Sequence, residues 1–257
     1  MIMNYPLISS RSTFDAVILA DGDFPAHQIP SGILSRARPL ICCDGAAQHL
    51  LKFQDRIPDA IVGDGDSLPE EYKKRYARLF HPFSEQMDND MTKATRYALS
   101  LRGIPVVYGQ PSDFTPLEDQ AEDIPTLATF AYLGASGKRE DHTFSNIGLM
   151  VFYYRRLHVQ PVMVTDYGWF VPAHGKCTFA TKPGQQISIF NFSCQHLSGA
   201  GMTWPVFAFQ ELWQGSLNEA TGKQIELEGD GLYLVFRTFE VKRRKPQGAT
   251  APESHQG

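Results

Sequence analysis

The sequence has no long apolar run, no Cys-x-x-Cys pair and no strong excess of charge, and each absence removes a class of function. Without a stretch of about 18 apolar residues there is no candidate membrane-spanning helix. The opening MIMNYPLISSRSTFDAVILA lacks the basic start and apolar block of a secretory signal. A cytoplasmic protein with no membrane partner is therefore expected. Four cysteines, Cys42, Cys43, Cys177 and Cys194, show no metal-ligand spacing and read as reduced, buried thiols. A formal charge of -4 over 257 residues gives no electrostatic footprint for nucleic acid or an anionic membrane, so a small-molecule partner fits better. The G-x-x-x-x-G-K-[ST] and G-x-G-x-x-G phosphate signatures are also absent. An EF-hand fails, because counting from Asp64 the fifth position is Leu68 and the twelfth is Arg75. No internal repeat is visible.

What is present is enough apolar sequence, 42%, for a substantial core. In the first two-thirds, short apolar runs alternate with helical patterns, the signature of a mostly parallel sheet with covering helices. Strands are expected at 16–19, 40–43, 60–62, 106–108 and 130–133, and helices at 46–53, 70–79 and 90–101. Asp88 or Asn89 is placed to cap the last helix, and Gly103 follows it. The acidic, proline-containing stretch 110–129 reads as a surface insertion. From about Pro161 the pattern becomes strands broken by Gly, Pro and Asn, with Asp230-Gly231 as a turn signal. The expected organisation is an α/β domain over 1–160, a smaller all-β domain over 161–245, and a disordered polar tail over 246–257.

Acids gather where the strands end. LADG, ICCDGA and AIVGDGDS place Asp21, Asp44, Asp64 and Asp66 directly after apolar runs. In a parallel sheet these positions share one edge, the ligand crevice of open α/β folds. Asp-Gly is also ordinary turn chemistry, but the coincidence of several such acids favours a site. In GDGDS an extended backbone would point Asp64 and Asp66 the same way, and like charges so close call for a divalent cation. Asp90 opens the next helix, with Thr92 and Lys93 in its first turn, where free N–H groups and the lysine suit a phosphate. The glycine-bearing loop GASGKREDH then brings Lys138, Arg139, Asp141 and His142, groups suited to phosphate oxygens. Together they describe a metal–polyphosphate site.

ICCDGA, IVGDGDS, DNDMTKA and LGASGKREDH, in this order and spacing, resemble the thiamine pyrophosphokinase family, and the likeness continues through GMTWP and SLNEA. The resemblance implies a Rossmann-like nucleotide-binding domain, a C-terminal β-sandwich, a homodimer with the site at its interface, and Mg2+-dependent pyrophosphate transfer from ATP to thiamine. It places Asp44, Asp64, Asp66 and Asp90 in catalysis, with Asp44, Asp64 and Asp66 on the metal. Lys93, Arg139, Asp141 and His142 fall on the ATP side, and Trp204, Ser216 and Asn218 on the thiamine side. The chain departs from the family at Met202-Thr203, where Leu-Lys is more usual. Taken without the resemblance, Trp204 reads as plain β-domain core. The rival readings are a metal-dependent phosphohydrolase using the same acids and a non-catalytic nucleotide- or thiamine-binding protein; an aromatic wall for a cationic heterocycle and a complete set of acids oppose them respectively.

Overall fold

A computed structural model of the chain describes residues 2–54, 56–106 and 128–241. The strands of the first half are short apolar runs bounded by turn residues, and β2 (Ala16–Leu19), β3 (Leu40–Cys43) and β4 (Ala60–Gly63) are buried along their whole length. Such runs suit strands covered on both faces. They pair in parallel with β5 (Phe80–Pro82), β6 (Ala128–Leu133) and β7 (Val159–Val164) in the order β7-β6-β2-β3-β4-β5. The chain moves outward from β2 to β5 and then returns to β6 on the other side of β2, so the strand order reverses there and opens a crevice at the carboxyl ends.

The pleat sends alternate residues to opposite covers. Val17, Leu19, Leu40, Cys42 and Ile61 pack on the face of α1 (Gln28–Arg36) and α2 (Ala46–Gln54). Ile18, Ile41, Cys43, Val62 and Tyr132 pack on the face of α4 (Asp90–Leu101) and α5 (Glu140–Arg156). The four cysteines are free and buried, as the sequence suggests.

The second half continues the same sheet. β8 (Gly168–Ala180) pairs antiparallel with β7 through Met163–Phe170 and Val164–Trp169, and along its length with β12 (Gln224–Val241). β9 (Gln185–Asn191) and β10 (Leu197–Ala200) pair with different stretches of β12, and the two-residue β11 (Asn218–Glu219) pairs with β9. β1 (Met3–Tyr5) lies parallel to residues 177–179 of β8. The architecture is mixed α/β around one large sheet, so parallel pairing does not extend through it.

Some elements differ from the sequence reading. The helix expected over 70–79 is α3 (Glu70–Arg75), ending at Tyr76, with β5 starting at Phe80. α1 was not anticipated because Pro30 and Gly32 interrupt its pattern; Pro30 fits because it lies in the first turn, where no intrahelical donor is needed. α5 was also not anticipated, because MVFYY reads as strand by β propensity. Of the strand expected at 106–108, Val106 is described and lies in no strand, while 107 and 108, most of the 110–129 insertion and the tail fall outside the described residues; residues 128 and 129 open β6. Pro161 falls within β7.

Candidate active site

Three carboxylates meet at the edge of β3 and β4. One oxygen each from Asp44, Asp64 and Asp90 lies within 4.8 Å of the others. Asp44 follows β3 with φ 29, a left-handed conformation that aspartate tolerates better than most residues. Its Oδ2 accepts from the Ser67 amide at 2.8 Å, while Oδ1 is buried with no hydrogen-bond partner among the described residues. Gly63 makes room for it: a Cβ there would lie 2.8 Å from the Asp44 Cβ. Burial raises the Asp44 pKa, and Asp90 and Asp64 raise it further. Asp90 is raised first by burial and then by Asp64 and Asp66, against the opposing Lys93. A buried carboxylate beside two more carboxylates is costly without a cation, and oxygen-only donors fit a hard divalent ion such as magnesium.

GDGDS is not the extended segment expected. β4 stops at Gly63, Gly65 turns with φ 84, and Asp64 Oδ1 accepts from the Asp66 amide at 3.1 Å. This local turn puts Asp64 in the three-carboxylate group, while Asp66 is exposed beside it and still raises Asp90 electrostatically.

α4 delivers Asp90 and Lys93. Its cap is Asn89, whose Oδ1 accepts from Thr92 at 2.8 Å, whereas Asp88 pairs with buried Arg96 at 2.9 Å. Lys93 is almost fully buried, and its amine lies 3.4 Å from Asp90. A carboxylate therefore offsets a cation at this unfavourable helix end even without an anion.

The loop from Gly134 ends at Arg139, because Glu140, Asp141 and His142 form the first turn of α5. Arg139 and Asp141 are exposed and hold each other through Nε–Oδ1 at 3.1 Å and Nη2–Oδ2 at 2.6 Å. This pairing raises the Arg139 pKa and lowers that of Asp141. His142 is exposed beside them. The Gly137 amide already donates to Thr143 Oγ1 at 3.0 Å, so that donor is committed within the loop.

Trp204 is not core: it is 54% exposed. Buried Asn218 clamps its backbone, accepting from Trp204 N at 3.1 Å and donating to Trp204 O at 2.9 Å. Asn218 therefore positions the tryptophan. Exposed Ser216 donates to the Trp213 carbonyl at 2.6 Å. The departure Met202-Thr203 is tied down by a bridge from Met202 to Ala220 and by Thr203 N to Glu219 O at 2.9 Å.

Sequence reasoning missed Lys73. Its amine comes within 3.3 Å of where a Gly65 Cβ would stand, and its charge lowers the Asp44 pKa. The signal was weak, since one lysine in EEYKKR looks like any solvated helix residue.

Residues 31–160 match the thiamin pyrophosphokinase catalytic domain and residues 168–236 the thiamin pyrophosphokinase substrate-binding domain. No curated relative matches the sequence directly. Similar solved structures include thiamin pyrophosphokinase from Candida albicans, at 16% identity and TM-score 0.71, covering 93% of each chain. Yeast thiamin pyrophosphokinase gives 16% identity and TM-score 0.68 over 93% of this chain and 92% of that one. The Bacillus subtilis thiamine pyrophosphokinase gives 17% identity and TM-score 0.62 over 88% and 99%. At these identities the structures establish the shared fold, and the two family matches together establish that this chain belongs to the thiamin pyrophosphokinase family.

Proposed function

We propose that the chain transfers pyrophosphate from ATP to the hydroxyl of thiamine, giving thiamine diphosphate and AMP, with magnesium held by Asp44 and Asp64 and assisted by Asp66. The observation that carries this reading is the group of three carboxylates formed by Asp44, Asp64 and Asp90, in a chain matching both the catalytic and the substrate-binding domains of the family. In the reaction, an O–P bond forms between thiamine and the β-phosphorus as the bond from that phosphorus to the oxygen of AMP breaks. When bound, magnesium supplies neutralising charge to the polyphosphate.

The chain's own residues do the rest. Lys93, packed against Asp90, places positive charge at the opening of α4, where the amides also favour a phosphate. Arg139, Asp141 and His142 line the start of α5, and opening the Arg139–Asp141 pair presents a guanidinium fork to phosphate oxygens. Trp204, braced by Asn218, offers a flat face to the cationic thiamine, and Ser216 contributes from the same segment between β10 and β11.

The same reading extends to organisation: an α/β unit to about residue 160, a β-sandwich over 161–245, and a cytoplasmic homodimer that shares its site. The segment between β10 and β11 supports the dimer, because Trp204, Phe207, Leu212, Trp213 and Leu217 are all exposed and a partner subunit would cover them. No helix among the described residues is long and apolar enough to cross a membrane. The test is incubation with ATP, magnesium and thiamine: AMP and thiamine diphosphate are expected in equal amounts, and ADP or free phosphate in their place would refute the transfer.

A further inference from the structure

We propose that Lys138 is a phosphate-contact residue that Asp21 holds in reserve, an inference resting on the ATP-dependent reading above. Asp21 follows β2 and Lys138 follows β6, so the pair bridges the two adjacent strands at which the sheet reverses its order. Open α/β sheets receive ligands at that point. Lys138 Nζ lies 3.0 Å from Asp21 Oδ1, and His49 Nε2, carried by α2, approaches the same oxygen at 3.4 Å. An amine and an imidazole from two different elements thus converge on one anionic oxygen. A phosphate oxygen would meet the same partners.

Neither stability nor backbone preference accounts for a lysine at this position. The ion pair is 44% and 39% exposed, and such pairs contribute little. Lys138 also holds φ 57, directly after Gly137 at φ 83, a region that glycine enters more readily. The location gives the amine a use. Asp21 Oδ2 lies 3.0 Å from where a Gly45 Cβ would stand, so the pair sits next to Asp44 and the carboxylate group. A polyphosphate anchored there extends toward Lys138. Its oxygen replaces the Asp21 carboxylate as the acceptor for the amine, with no covalent bond made or broken, and Asp21 opposes binding by competing for the lysine.

The test is calorimetric titration of the full chain with ATP and magnesium in the absence of thiamine, beside steady-state kinetics and urea unfolding. Lys138→Gly suits the backbone and is expected to unfold no earlier than wild type, to weaken ATP binding and raise its KM about five- to tenfold, and to leave the thiamine KM unchanged. Lys138→Arg retains the charge and is expected to restore most of the affinity. Asp21→Asn frees the amine and is expected to tighten ATP binding several-fold. Unaltered ATP affinity in folded Lys138→Gly, or weaker binding in Asp21→Asn, overturns the proposal while the transfer reading stands. A wild-type chain that binds no ATP with magnesium overturns both.

Discussion

Asp44 is under three separate stresses: a left-handed backbone, a buried oxygen without a hydrogen-bond partner among the described residues, and two neighbouring carboxylates. Because its pKa and that of Asp90 are raised in the folded state, folding disfavours their charged forms. The ion-free protein therefore loses stability as pH rises from the unfolded carboxylate value of about 4 through the raised folded values. Asp44→Asn keeps the acceptor for Ser67 and removes the charge, so it should stabilise the ion-free chain by roughly 1 kcal/mol while abolishing turnover. Thermal melts with and without magnesium check this, since magnesium should raise Tm in wild type and not in the variant. Asp64→Asn and Asp66→Asn should each lower kcat at least tenfold, about 1.4 kcal/mol or more in the barrier, with folding intact. Near-normal rates in both would remove these acids from the metal site. Asp44, Asp64 and Asp66 were legible in the sequence because each follows an apolar strand, and strand ends in a parallel sheet share an edge; Asp90 was legible because it opens a helix. Lys73 was not, because its approach to Gly65 depends on how α3 packs over the turn.

At the level of elements, the loop that carries Trp204 shows how a short polar side chain sets the position of a large one. Asn218 uses its amide to hold both the N–H and the carbonyl of Trp204 across a gap of 14 residues. Asn218→Ala should therefore raise the thiamine KM roughly three- to tenfold without altering the ATP KM, the loss expected from two hydrogen bonds that orient rather than contact the substrate. Trp204→Ala should raise it roughly tenfold by loss of the cation–π face, and because the ring is exposed the variant should fold normally. A normal thiamine KM in folded Trp204→Ala would dismiss the stacking role. The family likeness implied Trp204, Ser216 and Asn218 as the thiamine side, but the clamp between Asn218 and Trp204 was invisible, since it depends on a turn of chain between β10 and β11. The start of α5 was misjudged for a related reason: Arg139 opens the helix with no side-chain cap bond, so no capping signal marked the change from loop to helix.

For the whole molecule, the shared-site reading makes a specific demand. At thiamine concentrations below the wild-type KM, impaired Asp66→Asn chains mixed with impaired Trp204→Ala chains should turn over faster than either alone, because some mixed dimers would hold one site free of both changes; verified heterodimers with no gain in rate would confine the site to one subunit. The broad plan of strands and helices was legible from periodicity, whereas the long-range joins were not, because β pairing depends on partners far away in sequence. One of those joins governs assembly in time. β1 at residues 3–5 finds its partner only at residues 177–179, and Arg237 then donates to the carbonyls of Tyr5 and Ala180, with its guanidinium over Trp169 and Phe179. During synthesis β1 therefore waits until residues 177–179 have emerged, and for the Arg237 contact later still, and nascent chains halted before β12 should remain open to protease where the released protein resists it.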